Sequence, residues 1–340
     1  LKQAWTQDKI NYQGEIYNFS EIRETLEEEG LISWRGSSDT EVLLAAICCY
    51  GLDKAIHLFD GMFAFALWDI KTSRLHLVRD RLGEKPLYYG WCGSHFLFGS
   101  ELKAFTAHVA WQPEIEERAL TAFLRYSYVP EPFSIYRGIF KLRPGHHVRL
   151  DVANMVPSIL PKPIPYWCPR ESFEASQVKN QSIEENEALD RLEKLLTDSI
   201  KRRLTADVPL GVLLSGGIDS SIITALAQKE TDGTIKTFTL GFEDPSFSEV
   251  THAANIAKIL GTDHTYLISS ESSILQMVGR ASECYDEPFG DISQIPTMLL
   301  ADMTRPHATA VLSGDGGDEL FAGYPRYGAI LDSYRGNNRG

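Results

Sequence analysis

Two short glycine-rich segments contain the residues whose types and spacing best suit chemistry, and the first is Leu213–Ser221. It lies where a β-rich run ends and a helical pattern begins, so Gly216 and Gly217 can bring the backbone close to a ligand without a Cβ clash. The following helix would offer unpaired N–H groups and the positive end of its dipole to a phosphate. Hydroxyl donors accompany the glycines at Ser215, Ser220 and Ser221.

Asp219 is the unusual member of this segment, because a carboxylate beside phosphates repels them unless a cation lies between. Its presence indicates Mg²⁺, which binds through carboxylates and substrate phosphates. The segment is not a Walker A loop, because the lysine of that motif is absent. The alternative is an ordinary Ser/Gly turn in which Asp219 caps a helix.

The second segment, Ser313–Glu319, contains three carboxylates and three glycines within seven residues, after the apolar run Ala310–Leu312. Such crowding is costly unless a cation or a cationic substrate group neutralises it. A Ca²⁺ loop of the EF-hand type is a rival interpretation, but its register of acidic residues is absent. A plain Asp/Gly turn remains an alternative. Together the two segments could hold a magnesium-bound nucleotide from two sides.

The elements around both segments alternate between strand and helix. We expect strands at 208–214, 234–241, 264–268 and 308–312, and helices from 187, from 219 and over 249–260. This alternation predicts an α/β domain with a parallel sheet and helices on both faces. Ligands of such sheets bind at the carboxyl ends of the strands, where both segments fall.

The front half has a different pattern. A strand over 9–17 precedes a helix for which Asn18 and Glu21 form a capping-box pattern. A second helix is expected over 39–50, short strands over 62–99, and helices over 101–107 and 116–126. Strands and helices kept in separate blocks predict a layered α+β domain. We therefore expect domains over 1–155 and 187–340, joined by an extended linker over 156–186 that is rich in proline up to residue 170.

Composition narrows the class of protein. The 340 residues carry a net charge of -13, which argues against a nucleic-acid partner. Five cysteines without a CxxC pair suit a reducing compartment, and no apolar run reaches membrane-spanning length. A cytoplasmic enzyme is therefore expected. Because the chain begins with Leu1 and ends in a polar, Gly-rich stretch, we also expect that sequence is missing on both sides.

Several segments resemble a known family. The SGGxDS pattern resembles the signature of ATP pyrophosphatases, and Ser313–Tyr327 resembles the matching segment of asparagine synthetases. The front half is similar to the glutaminase domain of that family at Gly14–Asn18, Ser38–Glu41, Gly61–Ala66, Arg79–Gly83 and Ser100–Lys103. The resemblance covers nearly the whole chain. It implies a glutaminase-type layered α+β sandwich followed by a parallel-sheet domain like the adenine nucleotide alpha hydrolases.

The resemblance also implies a reaction. In the family, the front domain releases ammonia from glutamine, and ATP activates the aspartate β-carboxylate as an acyl adenylate that ammonia attacks. Carried over, the pyrophosphate site would be Ser215, Gly216, Gly217, Asp219 and Ser220, with Asp219 and Asp318 as Mg²⁺ ligands and Asp318 alternatively pairing the substrate ammonium. Asp315 would act in forming the adenylate; Leu214 and Leu240 would flank adenine, and Ser313 and Gly314 would lie near AMP. Without the resemblance, Leu214 and Leu240 are simply core residues.

In the front half, Gly14, Glu15 and Asp39 match positions that hold glutamine in the family. Glu15 and Asp39 suit this role, because the ammonium of a bound amino acid needs carboxylate partners. Asp39 could also be a helix N-cap, and the two roles do not exclude each other. Gln13 stands where the family has an Asn of the oxyanion hole, and losing such a donor can cost about 10²–10³ in rate. The nucleophilic cysteine would lie before Leu1 and a catalytic lysine after Gly340, so we expect this fragment alone to be inactive.

Two alternatives remain open. Relatives amidate other carboxylates or close a β-lactam, and side chains near Asp286–Pro288 and Asp318–Glu319 would decide the acceptor. A degenerate copy that serves as a binding module is the other alternative, for which Gln13 is the only local indication. The expected partners are glutamine, aspartate and ATP, without nucleic acid or membrane, and a homodimer is compatible with the sequence.

Overall fold

The computed structural model describes residues 9–30, 33–179, 183–205, 208–244, 246 and 248–337. The chain divides into two compact units. Unit one comprises Leu1–Ile183 and Cys284–Asp291, and unit two comprises Glu184–Glu283 and Ile292–Gly340. Within the described residues, no helix combines the length and the apolar character needed to cross a membrane.

Unit one is built on two antiparallel sheets. Its strands are β1 (Lys9–Ile16), β2 (Gly61–Asp69), β3 (Arg74–Arg79), β4 (Tyr88–Cys92), β5 (His95–Gly99), β6 (Ile139–Lys141), β7 (His146–Asp151) and β8 (Ile164–Pro165). The first sheet has the order β1-β2-β3-β7-β8, and the second has the order β5-β4-β6. The helices are α1 (Phe19–Glu28), α2 (Asp39–Tyr50), α3 (Leu52–Leu58), α4 (Lys103–Thr106), α5 (Glu117–Tyr126) and α6 (Pro169–Lys179).

Successive side chains of β2 point to opposite faces of the first sheet, which divides the core of unit one into layers. Phe63 and Phe65 pack with α1, α2 and α3 on one face of the first sheet, while Ala64 packs with Tyr89 of the second sheet on the other face. A third cluster contains Phe105 of α4 and Ala119 of α5. Unit one is therefore a layered α+β sandwich, as the sequence predicted.

Unit two has a four-stranded parallel sheet in the order β11-β10-β9-β12. The strands are β9 (Leu210–Leu213), β10 (Lys236–Phe242), β11 (Asp263–Ser269) and β12 (Ala310–Leu312). The helices are α7 (Glu185–Leu204), α8 (Ile218–Glu230), α9 (Val250–Leu260), α10 (Glu271–Cys284), α11 (Gln294–Thr304), α12 (Gly317–Phe321) and α13 (Pro325–Asn337). The parallel α/β domain predicted from the alternating pattern is confirmed.

Two local expectations were wrong. Asn18 makes no cap hydrogen bond to α1; its side chain instead bonds Leu58 and Asp60 in the chain leading to β2. The stretch 156–186 is not an extended linker throughout, because Pro169–Lys179 forms α6, while Ile164–Pro165 is extended but pairs with β7. Proline has no N–H and a fixed φ, which suits the first position of a helix. Residues 180–182 of the expected linker lie outside the described residues.

Candidate active site

A cleft of about 760 Å³ lies at the carboxyl ends of β9, β10 and β12. Because the strands are parallel, these ends share one edge of the sheet, where ligands of such folds bind. The walls include these residues singled out from the sequence: Leu214, Ser215, Gly217, Asp219, Ser220, Leu240, Ser313, Gly314, Asp315 and Asp318. Gly216 lies behind this surface and is buried.

The first turn depends on glycine. Gly216 has φ +89°, and a Cβ there would lie 2.8 Å from Cδ2 of His252 and 3.1 Å from the N atom of Ala253. Gly217 is the N-cap of α8 and makes no side-chain cap, so the first-turn N–H groups of the helix remain suited to an anion. The turn can therefore approach α9 closely and still direct α8 at a ligand.

The serine hydroxyls hold this turn together. Oγ of Ser220 accepts a bond from the N–H of Ser215 at 3.2 Å and lies 3.2 Å from the carbonyl oxygen of Gly217, to which it donates. Ser221 donates to the same carbonyl at 2.7 Å. These bonds shape the backbone of the turn, and contact of Ser215 and Ser220 with pyrophosphate stays a prediction.

The second turn packs directly against the first. A Cβ at Gly314 would lie 2.9 Å from the N atom of Ser220, and one at Gly317 would lie 2.5 Å from Oδ2 of Asp219. Only glycine allows this approach. A Cβ at Gly323 would overlap Oδ1 of Asp318, so the chain beyond the turn folds back on that carboxylate. The two acidic turns therefore meet at one edge of the sheet.

The donor set suits a metal that arrives with a nucleotide. Among the described residues, no three His, Cys, Asp or Glu side chains are arranged to hold a metal ion. Mg²⁺ is commonly bound by one or two carboxylates together with substrate phosphates and water. Asp219 and Asp318 fit that requirement, because both line the cleft and Asp219 packs against the turn that carries Asp318.

Sequence reasoning missed several residues of the cleft: Phe238, Thr239, Phe242, Pro296, Thr297, Leu300 and Phe321. Thr239, which is 2% exposed, donates its hydroxyl to the carbonyl of Leu214 and ties β10 to the first turn. Thr239 lies in the middle of β10, so no sequence pattern marked it as a residue of the cleft. The residues of α11 gave no signal either, because that helix follows no recognisable motif.

In unit one, Asp39 lies against β1. Its Oδ2 accepts hydrogen bonds from the hydroxyl of Tyr12 at 2.5 Å and from the N–H of Ile16 at 3.0 Å. Ser38, whose side chain accepts from Glu41, is the N-cap of α2, so the interpretation of Asp39 as that cap is wrong. Asp39 is therefore hydrogen-bonded to β1, the strand that contains Gln13, Gly14 and Glu15.

The neighbouring backbone is unusual at Gly14. Its φ is +141°, and a Cβ there would overlap the carbonyl oxygen of Met62 on β2. Gln13 and Glu15 are both exposed on either side of it. A fully buried carboxylate, Asp80, holds β2 at this point by accepting the N–H groups of Phe63, Leu82, Gly83, Glu84 and Lys85.

Two models of known protein families match this chain. The family model described as asparagine synthase matches residues 191–338, and the model described as glutamine amidotransferase domain matches residues 1–165. The chain belongs to the glutamine-dependent asparagine synthetase family.

Relatives in this family have a longer chain. The glutamine-hydrolyzing asparagine synthetase 1 of Bacillus subtilis is 35% identical over 319 residues, which is 94% of this chain and 48% of that protein. A protein of Methanocaldococcus jannaschii, named provisionally as a second glutamine-hydrolyzing asparagine synthetase, is 35% identical over 96% of this chain and 60% of its own length. The amidase chyE of Penicillium rubens is 31% identical over 94% of this chain and 47% of its own length.

Likeness to solved structures is weaker. The glutamine phosphoribosylpyrophosphate amidotransferase of B. subtilis gives a TM-score of 0.32 at 15% identity, over 90% of this chain and 60% of that one. The NH3-dependent NAD synthetase of Campylobacter jejuni gives a TM-score of 0.30 at 20% identity, over 40% of this chain and 60% of that one.

Asp286 and Glu287, which the sequence analysis placed near the acceptor, belong to unit one. Asp286 accepts the N–H of Leu102 at 2.6 Å. Glu287 accepts the N–H of Ile135 and forms an ion pair of 2.5 Å with Lys141. These carboxylates are bonded to structural partners within unit one. A role of these two residues, and of Asp318 and Glu319, in selecting the acceptor stays a prediction.

Proposed function

We propose that the protein forms an amide by activating a carboxylate with ATP and transferring to it ammonia derived from glutamine. The proposed acceptor is the side-chain carboxylate of aspartate, and the products are asparagine, AMP and pyrophosphate. The chain spans about half to 60% of the length of the curated relatives described above. The activity therefore refers to the full-length protein.

One observation carries the nucleotide part of this proposal. The first turn and the acidic second turn meet where Gly314 and Gly317 pack against Asp219, beside a cleft at the carboxyl ends of parallel strands. A helix N-terminus at the cleft, together with two carboxylates suited to Mg²⁺, would suit a nucleoside triphosphate. The wall formed by Leu214, Leu240 and Phe242 is apolar, as an adenine ring requires.

The proposed reaction follows from the poor electrophilicity of a carboxylate. A carboxylate oxygen of the acceptor attacks the α-phosphorus of ATP, and pyrophosphate leaves from the first turn. Ammonia then attacks the acyl carbon of the adenylate, and AMP leaves with the C–O bond electrons. Asp315, exposed at the cleft, is proposed to act in forming the adenylate. When bound by Asp219 and Asp318, Mg²⁺ would neutralise charge on the phosphates.

We propose that the site around Asp39 binds the glutamine from which ammonia is released. Gly14 and the carboxylates of Glu15 and Asp39 would bind the amino-acid end of glutamine. Gln13 would supply the oxyanion donor that an Asn supplies elsewhere in the family. All five cysteines are free, which supports a reducing compartment and therefore a cytoplasmic location.

The test is pyrophosphate release by the full-length protein supplied with ATP, Mg²⁺ and ammonia. We expect release with aspartate and only background release with glutamate, succinate or β-alanine. Release with none of these acids, under conditions in which the protein is folded, would contradict ATP-dependent amide synthesis.

A second candidate keeps the ATP chemistry and changes the acceptor. The 31% identity to a protein named amidase chyE is the observation that favours it, because family membership alone does not fix the carboxylate. In the same assay, release with a carboxylic acid other than aspartate would support this candidate.

A further inference from the structure

Among the described residues, the hydrogen-bond donors to Asp39 are all neutral. The Tyr12 hydroxyl and the Ile16 N–H both donate to Oδ2, while Oδ1 accepts one bond, from the hydroxyl of Thr40 at 3.3 Å, among the bonds between described residues. No cation within the described ranges forms an ion pair with this carboxylate. Its orientation is therefore fixed while its negative charge remains uncancelled.

Other acidic side chains of unit one show the contrast. Glu131, Glu287 and Asp53 each form an ion pair with Arg79, Lys141 and Arg149 respectively. A carboxylate already paired with a cation has little attraction left for a second positive charge. A carboxylate oriented by a phenol and a backbone N–H keeps that attraction, which is the property an ammonium-binding group needs.

We propose that Tyr12 is a positioning residue of the glutamine site, which holds Asp39 oriented for the α-ammonium of the substrate. This inference rests on the proposed function. Tyr12 precedes Gln13 and Gly14 on β1, so the strand that supplies backbone and side-chain groups to the site also orients the carboxylate facing it. None of the sequence patterns singled out Tyr12.

The hydroxyl of Tyr12 is suited to this role because it stays protonated. Burial, the hydrogen bond to Asp39, and the negative charges of Asp39 and Glu15 all raise its pKa well above that of an ordinary tyrosine. It therefore donates to Asp39 throughout the neutral range and never adds a competing negative charge. A bond from a phenol to a carboxylate is also stronger than a neutral pair.

The test compares Tyr12→Phe with the unaltered full-length protein, using glutamine and glutaramate, which is glutamine without its α-amino group. Phenylalanine retains the ring that packs against the core beside β1 and removes only the hydroxyl. We expect KM for glutamine to rise about tenfold, the loss usual for a hydrogen bond to a charged group, with kcat within about twofold. Hydrolysis of glutaramate should change by less than about twofold, because it has no ammonium for Asp39 to bind.

Tyr50→Phe is the matched control. It removes a phenol–carboxylate bond of 3.0 Å to Glu29 in the same unit, on an exposed surface, and should alter neither substrate's kinetics. Equal losses for glutamine and glutaramate in Tyr12→Phe, or an unchanged KM for glutamine, would overturn the inference alone. Failure of the unaltered protein to hydrolyse glutamine would overturn the proposed function and the inference together.

Discussion

Asp219 is the single residue on which the proposed nucleotide chemistry depends most. It is the second residue of α8, where the helix dipole favours an anion, and it touches Gly314 and Gly317 of the acidic turn. A carboxylate here competes with the phosphates for the same positive potential. That competition is resolved if Asp219 and the phosphates share a cation.

Asp219→Asn should abolish most pyrophosphate formation while the fold survives. The amide is nearly isosteric but carries no charge for a metal, so we expect a loss of about 100-fold or more in the rate of pyrophosphate release. Asp232→Asn, an exposed aspartate after α8, is the matched control and should retain full activity. Near-normal turnover in Asp219→Asn, across a titration of Mg²⁺, would remove this residue from the reaction.

At the scale of elements, β9 and β12 are adjacent parallel strands, so the turns that follow them are neighbours. The distance between the two turns then depends on small residues at their contact. Gly317 begins α12 with Oδ2 of Asp219 directly beside its α-carbon. The contact between the turns is therefore sensitive to a single methyl group.

Gly317→Ala should separate the two turns. The added Cβ would lie 2.5 Å from Oδ2 of Asp219, so one turn must shift. We expect at least a tenfold loss in kcat/KM for ATP, because a small displacement of catalytic groups has large kinetic effects. Gly279→Ala, inside α10 with open space around it, is the control and should be neutral or slightly stabilising. Unchanged kcat/KM for ATP in Gly317→Ala would contradict close contact between the turns.

The segment Cys284–Asp291 is joined to the rest of unit one partly through an ion pair between Glu287 and Lys141. The pair between Glu287 and Lys141 is largely buried, with side chains 11% and 13% exposed. Burial raises the pKa of Glu287 despite the opposing influence of Lys141. Removing one member of such a pair leaves the other charge buried without compensation.

Glu287→Ala should therefore destabilise unit one by about 3–5 kcal/mol. Calorimetry should record this as a lower transition temperature for that unit. The control is Glu114→Ala, which breaks a solvent-exposed pair with Arg137 and should cost at most about 1 kcal/mol. Equal effects of the two substitutions would contradict the structural role of the buried pair.

The elements also show how far the sequence could be interpreted. Helix α2 begins and ends where its pattern predicted, because Ser38 caps one end and Gly51, with φ +79°, follows the other. The two turns could be predicted because glycine and acidic residues clustered after a strand form a recognisable local pattern. Helix α6 could not be predicted, because a polar helix beside prolines resembles a linker. The part of the cleft wall formed by α11 could not be predicted either, because packing between residues distant in sequence leaves no local pattern.

For the molecule as a whole, the net charge of -13 is accompanied by buried histidines, among them His76 and His147. His76 is 6% exposed, and burial, followed by the positive charge of Arg149, lowers its pKa to about 4. Asp69 and Asp53 oppose this shift, and His147 adds to it. The pKa of His147 is lowered too, chiefly by burial.

Stability should therefore fall as the pH is lowered from about 6.5 towards 4. In this window the unfolded state binds a proton at His76 that the folded state excludes, so the free energy of unfolding rises with pH. We expect His76 to contribute about 1–2 kcal/mol, discounted because the ring borders a surface cleft. His76→Leu should flatten the profile of unfolding free energy between pH 4 and 7, and a profile as steep as that of the unaltered protein would contradict this origin.

Activation of a carboxylate as an adenylate is the central claim, and transfer of oxygen-18 tests it most directly. The full-length protein would be supplied with ATP, Mg²⁺, ammonia and aspartate labelled with oxygen-18 in its β-carboxylate. Attack by that carboxylate on the α-phosphorus requires one labelled oxygen in each AMP formed and none in pyrophosphate. Label in inorganic phosphate, with ADP as the nucleotide product, would contradict the adenylate and the site proposed for it.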